Sequence, residues 1–427
     1  MYYPRRAFLK QAGTLSASLS ALPLLNKEFT PKFEQSRIAH HSPGKLTSDE
    51  TFWKEVRHYY KVSTDFINLE NGYYSLAAEP VLEAQQQHIR KINQIPSMYM
   101  RKQQYSDYQK VKQAMADFVG CSQEEIVICR NTTEALDTII LGLKLEAGDE
   151  AIMSHQDYGS MLATFDQRAR RDGTVNKLIK LPLHPKNDQQ IVDAYESAVT
   201  ERTKVILVTH LINITGQVLP VRAIAEMAHA KGIEIISDAA HSLGHLNFKI
   251  PELGCDYLGS SLHKWLGAPL GSGLMYIRKD KIENVWPLFG DDTYADTDIR
   301  KFEHIGTHPC STHLAILDAL NFQNKIGLER KEARLRYLKN YWVNQVKEVK
   351  GIRINTPFED HRSSAIANVS VKGLSSAELA DQLFDGFKIF TVAIDSEAVK
   401  GVRITPHLYN TTQELDQLVS ALKKLSA

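Results

Sequence analysis

Asp238 and Lys264 are side chains whose types and placement could do chemistry together. Asp238 ends an apolar run, Ile233 to Ile236 and then Ser237, long enough for a buried parallel strand and too short for a helix. A carboxylate is thereby set where such a strand emerges at its carboxyl end, the edge at which ligands bind in open α/β sheets. Lys264 follows a second apolar segment, Tyr257-Leu258, through Ser260-Ser261-Leu262-His263, and precedes a glycine-rich turn from Gly267 to Gly273. Two strand ends would thus deliver an amine and a carboxylate to one crevice. A lysine as Schiff-base former, with a carboxylate on a pyridinium nitrogen, is the pairing that pyridoxal phosphate chemistry needs.

The elements that must position this pair alternate between strand and helix. Short β-branched or apolar runs at 126–128, 150–154, 178–181, 204–209 and 274–277 read as further strands. Helical patterns fall between them, at about 162–171, 190–199 and 221–231, and this alternation with short connections predicts a mostly parallel sheet. Val81 to Val119 reads as mostly helical, with Tyr105, Tyr108, Val111 and Met115 forming a stripe of core or subunit-contact type. After the first sheet strand, Asn131-Thr132-Thr133-Glu134 opens a helix. Hydroxyls and free N–H groups at a helix start make a phosphate cradle, unless Thr132 merely caps the helix. Beyond Thr307 the chain turns helical at 313–326 and 331–349. It then alternates again: a strand at 367–371, a helix at 375–385, a strand at 389–392, the segment 401–410 and a terminal helix at 412–425.

Composition narrows the function classes. The 427 residues suffice for a large α/β domain and a smaller second one, and 43% apolar with 24% charged residues is ordinary for a globular chain. Lys+Arg 51 against Asp+Glu 50 gives no net field that suggests a nucleic-acid partner. The four cysteines, Cys121, Cys129, Cys255 and Cys310, have no Cys-x-x-Cys spacing, so neither a zinc site nor a disulfide framework is indicated. No internal stretch has the apolar length of an integral membrane span. At the N-terminus, Arg5-Arg6 precede a mild apolar run, Ala12 to Leu25, and resemble a twin-arginine export signal; a frayed basic terminus is the alternative. Such a signal ships folded proteins to the periplasm or cell envelope, which suits an enzyme that must acquire its cofactor inside the cell. The resulting division is a signal segment at 1–26, a linker and N-terminal arm at 27–64, a large domain at 65–300, and a connector helix with a small domain at 301–427.

The run Asp238-Ala239-Ala240-His241, then Ser261-Leu262-His263-Lys264 and glycines, resembles the cofactor-lysine region of the class V aminotransferase family among fold-type I pyridoxal phosphate enzymes. The group includes cysteine desulfurases and isopenicillin N epimerase-like proteins, and the similarity runs from about Asn68 to the C-terminus. It implies a mostly parallel seven-stranded sheet in the large domain, a smaller C-terminal α+β domain, and a homodimer with active sites at the interface. It places Lys264, Asp238 and His241 at the catalytic centre, His241 near a cofactor oxygen or else as a satisfied core histidine. Thr132, Thr133, Ser261 and His263 would hold the phosphate, joined by Thr307 from the neighbouring subunit. Tyr158 would stack on the pyridine ring, or be a surface loop tyrosine. Asn213 would face the phenolic oxygen, or be a turn asparagine.

Asn71 falls in an N-terminal turn that the family keeps near the substrate, although an ordinary turn explains it equally. In Arg403-Ile404-Thr405-Pro406-His407, the fork of Arg403 would grip a substrate α-carboxylate; the alternative is a mid-strand arginine paired to a surface carboxylate. One departure matters. Desulfurases of this group carry a nucleophilic cysteine before that arginine, and the stretch 391–403, TVAIDSEAVKGVR, has none. Persulfide chemistry is thereby disfavoured. Transamination, α-epimerisation or a β-lyase reaction on a cysteine derivative remain for an amino-acid-like substrate. A non-catalytic binding protein of the same fold conflicts with the intact set of Lys264, Asp238 and Arg403.

Overall fold

The computed structural model describes residues 43–427. The paired arginines and the whole 1–26 segment lie outside the described residues, as does the linker up to residue 42. Thirteen strands are described: β1 (Ile67–Asn68), β2 (Ile126–Cys129), β3 (Glu150–Ser154), β4 (Val175–Ile179), β5 (Thr203–Thr209), β6 (Glu234–Asp238), β7 (Tyr257–Ser261), β8 (Gly273–Ile277), β9 (Ile352–Ile354), β10 (Ala367–Val371), β11 (Ile389–Phe390), β12 (Val392–Asp395) and β13 (Lys400–Ile404).

Seven of them form one sheet in the order β2-β8-β7-β6-β5-β3-β4. Only β8 runs against its neighbours, pairing antiparallel with both β2 and β7. The reason is the connection. A short glycine-rich turn, with no crossover helix, returns the chain from β7 to β8, whereas parallel neighbours need a long crossover. Apart from the edge strand β4, the strands are buried on both faces. Ile126, Ile128, Ile152, Ile206, Val208 and Leu258 pack into one core. Their alternates Val127, Ala151, Met153, Val205, Leu207 and Tyr257 pack into the other. This period of two explains why the sequence shows continuous apolar runs rather than polar alternation.

A four-stranded antiparallel sheet, β12-β13-β10-β9, forms the smaller C-terminal domain. Its own core, including Leu338, Trp342, Val369, Leu383, Val402 and Leu418, is contributed by the helices Leu328–Val346, Ser376–Phe387 and Thr412–Leu425 and by the strands. The short β1 pairs in parallel with β11. The chain just after the N-terminal arm is thus tied to β11, while Phe52, Trp53 and Val56 of the arm itself pack into the core on one face of the large sheet.

Three elements differ from the sequence reading. The stretch from Val81 to Val119 is three helices, Glu79–Gln94, Pro96–Lys102 and Gln104–Val119, because Pro96 cannot continue the ladder of the first. Tyr108, Val111 and Met115 of the stripe are core, but Tyr105 is exposed. The strand expected at 178–181 lies at Val175–Ile179; it is a half-exposed sheet edge, whose apolar pattern is weak for that reason. The single strand expected at 389–392 divides at Thr391, where the chain exchanges β1 for β13 as partner.

Candidate active site

Every sheet strand that carries a candidate residue delivers it at its carboxyl end. Asp238 is the last residue of β6, Ser261 of β7, and Lys264 follows three residues later. They meet in a cavity of about 330 Å³ whose lining includes Thr132, Thr133, Tyr158, Asn213, Asp238, His241, Ser261, His263 and Lys264. The Nζ of Lys264 lies 3.2 Å from Nε2 of His241. On the other side of that ring, Nε1–H of Trp265 donates to Nδ1 of His241 at 3.3 Å. Indole nitrogen only donates, so Nδ1 must be the acceptor and Nε2 carries the proton of the neutral ring. Burial, reinforced by the charges of Lys264 and Arg403, keeps His241 neutral by holding its pKa well below the usual histidine range.

Burial also pushes the Lys264 ammonium down to about 8, with Arg403 adding to the shift and Asp238 and Glu70 opposing it. A free amine that accepts from Nε2–H is consistent with both. The carboxyl of Asp238 is pushed up from its ordinary range by burial. Its Oδ1 accepts from the N–H of Ala240 at 2.9 Å. A buried carboxylate with so little support is one that a cation in the cavity would stabilise.

The phosphate end is built where the helix Thr132–Gly142 starts. Asn131 is its cap, accepting from the N–H of Glu134 at 2.9 Å. The capping duty is therefore not Thr132's. Thr132 instead bonds to Oγ of Ser261 through both its N–H (2.9 Å) and its hydroxyl (2.7 Å), tying the helix start to the end of β7. Two glycines permit this approach. A Cβ at Gly273 would sit 2.6 Å from the backbone nitrogen of Asn131, and one at Gly259 would sit 2.7 Å from the Leu136 side chain. His263 shares a bond with the carbonyl of Ser272 at 3.2 Å. Thr307 is exposed and is not part of this cavity's lining.

Asn213 follows β5, and its buried Oδ1 has no hydrogen-bond partner. Tyr158 stands just before the helix Gly159–Asp172 with its ring 38% exposed at the cavity. Beside it the sequence reading missed Asp157. Its Oδ1 accepts from the hydroxyl of Thr209 at 2.6 Å and its Oδ2 from the N–H of Ser154 at 2.7 Å. Burial above all pushes its pKa up to about 7, and the charge of Asp238 adds to that. Nothing local marks Asp157; its partner Thr209 lies on another strand. His155 turns away, with Nδ1 3.2 Å from Glu397.

The two residues expected at the substrate end are both bonded within the chain. Arg403, on β13, is fully buried and already paired: its Nε and Nη2 donate to Glu70 at 3.2 and 2.6 Å, and Nη1 donates to the carbonyl of Asn213 at 3.2 Å. The Tyr73 ring lies over the guanidinium, 4.0 Å from its centroid. In this ligand-free chain the fork of Arg403 is held by Glu70. Asn71 is likewise bonded within the chain. Its Nδ2 donates to the carbonyl of Thr405 (2.8 Å), and its Oδ1 accepts from Asn68 (2.9 Å) and from Tyr409 (2.6 Å). With those groups committed and no exposed surface, it fastens the arm to the chain after β13.

Comparison with known proteins decides the family. Residues 68–418 match the model of aminotransferase class-V. The chain belongs to the class-V aminotransferase family. Among curated class-V relatives, isopenicillin N epimerase of Amycolatopsis lactamdurans is 28% identical over 334 residues, covering 74% of this chain and 84% of that protein. A probable cysteine desulfurase of Halalkalibacterium halodurans is 28% identical over 342 residues, covering 74% and 82%. Of solved structures, C-DES with glycine covalently linked to its pyridoxal phosphate superposes with a TM-score of 0.78 at 18% identity, over 86% of this chain and 99% of that one.

Class-V aminotransferases of this fold are pyridoxal phosphate enzymes, and the residues present fit that cofactor. The under-supported carboxylate of Asp238 would accept from the protonated ring nitrogen, and the amide of Asn213, whose Oδ1 has no partner in the chain, would donate to the phenolic oxygen. Thr132, Thr133 and Ser261 form the hydroxyl-rich helix start that would receive its phosphate.

Proposed function

We propose that this class-V aminotransferase-family protein acts on a primary amine, moving a proton at the carbon that bears the nitrogen, in the manner of an aminotransferase or an epimerase. The observation that carries this reading is Lys264 itself: a buried amine, brought to about pH 8, within hydrogen-bond reach of a neutral histidine and beside a buried carboxylate in the same cavity. Bound pyridoxal phosphate would supply the carbonyl that captures amines and the electron sink for the pair left at the α-carbon.

The protein's own groups do the rest. Asp238 would stabilise positive charge on the cofactor ring. Nζ of Lys264, once free, takes the proton from the α-carbon and returns it. Nε2–H of His241 orients that lone pair and withholds protonation until the substrate supplies one. Tyr158 and Tyr74 cover the cavity mouth. A persulfide mechanism finds no thiol here. None of the four cysteines lines the cavity. Burial pushes the Cys121 and Cys255 thiols up to about 12.

Two wider readings go with this proposal. The pair Arg5-Arg6 supports export of the loaded, folded enzyme to the periplasm or cell envelope. The exposed Thr307 supports a homodimer in which it reaches the partner's phosphate site.

The reading is tested by an absorbance spectrum of the purified protein with added pyridoxal phosphate, before and after a panel of amines and amino acids. A bound-cofactor band that individual amines alter, with keto product or inverted stereochemistry assayed alongside, is the expected result. A protein that takes up no cofactor would refute it.

A further inference from the structure

We infer that Lys331 is a positioning residue for Lys264: from the helix Leu328–Val346 it clamps the main chain that carries the reactive amine, and so sets how well that amine meets an aldehyde. The inference rests on the functional reading of Lys264 above and adds to it a residue outside the cavity.

The clamp answers a local weakness. Lys264 lies in no strand or helix: β7 stops at Ser261, and the chain then turns through residues 262–266 to Gly267, whose φ is +73°. Such a turn has no ladder to take up its carbonyls, yet Trp265 and Leu266 are fully buried, so those carbonyls need other donors. Three consecutive ones find side chains on three separate elements. The hydroxyl of Ser75, in the chain before the helix Glu79–Gln94, donates to the carbonyl of Lys264. Nζ of Lys331 donates to the carbonyl of Trp265. Nε2 of Gln323, on the helix Cys310–Ile326, donates to the carbonyl of Leu266 at 3.0 Å. Lys331 also donates to Oε1 of Gln323 at 3.0 Å, which fixes that amide and joins two of the three contacts into one unit.

Lys331 is a costly group to bury for packing alone. It has no exposed surface, and its amine meets a carbonyl and an amide oxygen rather than a carboxylate. Burial brings that amine down to about 7. In the neutral form its two N–H hydrogens match its two acceptors, so the clamp is complete without a buried charge. An apolar side chain would fill the same space without the desolvation cost; what the amine adds is the pair of donors. Lys331 does not line the cavity, so it touches neither substrate nor cofactor and acts through the main chain alone. Reacting groups held in place are sensitive to a displacement of about 1 Å, which is what an unclamped turn at Trp265 would allow.

The experiment sets covalent capture against simple occupancy, on the purified protein freed of cofactor. In capture, Nζ of Lys264 adds to the aldehyde carbon of pyridoxal phosphate, a carbon–nitrogen double bond replaces the carbon–oxygen one, and the oxygen leaves as water. Pyridoxine 5′-phosphate carries an alcohol at that carbon, so its affinity registers the rest of the site alone. The quantity measured is the ratio of the two dissociation constants. Lys331→Met fills similar space without a donor. It is expected to weaken pyridoxal phosphate by roughly threefold to tenfold, the scale of one net hydrogen bond, and to leave the affinity for pyridoxine 5′-phosphate unchanged. Should Lys331→Met fail to fold, Ser75→Ala frees the neighbouring carbonyl. It is expected to shift the ratio in the same direction by less, because the N–H of Gly267 still donates to the Lys264 carbonyl at 3.3 Å. A merely structural role would weaken both ligands by the same factor; that result, or a ratio that neither variant moves, overturns the inference and leaves the functional reading standing. A wild type that binds pyridoxal phosphate no more tightly than the alcohol overturns the reading of Lys264, and the inference with it.

Discussion

The two ends of the cavity are built on different physics. At the sheet end, every functional side chain sits within a few residues of a strand's carboxyl terminus, and its neighbours are backbone groups or residues of adjacent strands. Asp238, Lys264, Thr132 and Ser261 are presented by the register of β2, β7 and β6. At the arm end, function and structure are joined by pairs distant in sequence: Glu70 and Arg403 are 333 positions apart, and Asn71 bonds to Thr405 across 334. The sheet end leaves Oδ1 of Asn213 without a partner and the Asp238 carboxylate with one backbone donor, as a place that receives a ligand can. The arm end satisfies its polar groups internally, as a buried joint must. The difference separates a place built to receive a ligand from a joint that holds distant parts of the chain together.

The largest effect should come from the sheet end. Lys264→Ala removes both the covalent anchor and the proton carrier, and loss of a positioned acid–base group alone costs about 10²–10⁴ in rate. Turnover with the best amine of the panel should fall by at least that factor while the thermal midpoint changes little, because no structural hydrogen bond of the Nζ other than that to His241 is lost. A rate within tenfold of the wild type would place the chemistry elsewhere.

The arm end should answer in the opposite currency, stability before rate. Glu70→Ala leaves the buried guanidinium of Arg403 without a carboxylate, and breaking one side of a buried ion pair costs about 3–5 kcal/mol. Denaturant titration should show that loss. The double variant Glu70→Ala with Arg403→Met, which removes both charges, should recover a good part of it. Equal losses in the single and double variants would mean that packing, not charge, dominates the joint.

That contrast also explains how far the sequence could be read. The order of strands and helices in the large domain was legible because each element announces itself locally: an apolar run, a break, then a residue of chemical type. The cluster at Asp238 and Lys264 was legible for the same reason, since both stand just past their strands. Thr132 was half legible; the sequence permits it to be a cap, and only the structure shows Asn131 in that position with Thr132 turned to Ser261. Glu70 was not legible as the partner of Arg403. A glutamate before Asn-Gly looks like any turn carboxylate, and its burial depends on β1 joining β11 and on the bridge from Glu70 to Thr405. Asp157 was hidden likewise, since its side chain bonds to a threonine on another strand. Long-range polar pairing carries no periodicity, so no local pattern betrays it.

The smallest effect sharpens the comparison within the sheet end itself, where Trp265 is the one group that shapes reactivity through another side chain. Its indole N–H holds Nδ1 of His241 as an acceptor, so Nε2–H faces Lys264 and disfavours a proton on Nζ. Trp265→Phe keeps a ring among His245 and His407 but removes the donor. His241 is then free to carry its proton on Nδ1 and turn a lone pair toward Nζ, which stabilises the ammonium. Activity that needs the free amine rises with pH through the Lys264 pKa of about 8. In the variant that rise should move to higher pH by roughly half to one unit, the scale of one net hydrogen bond. Activity on the high-pH plateau should change much less than at neutral pH. A merely structural role for Trp265 would lower the whole profile without displacing its acid limb, so the position of that limb, not the rate at one pH, decides between the two.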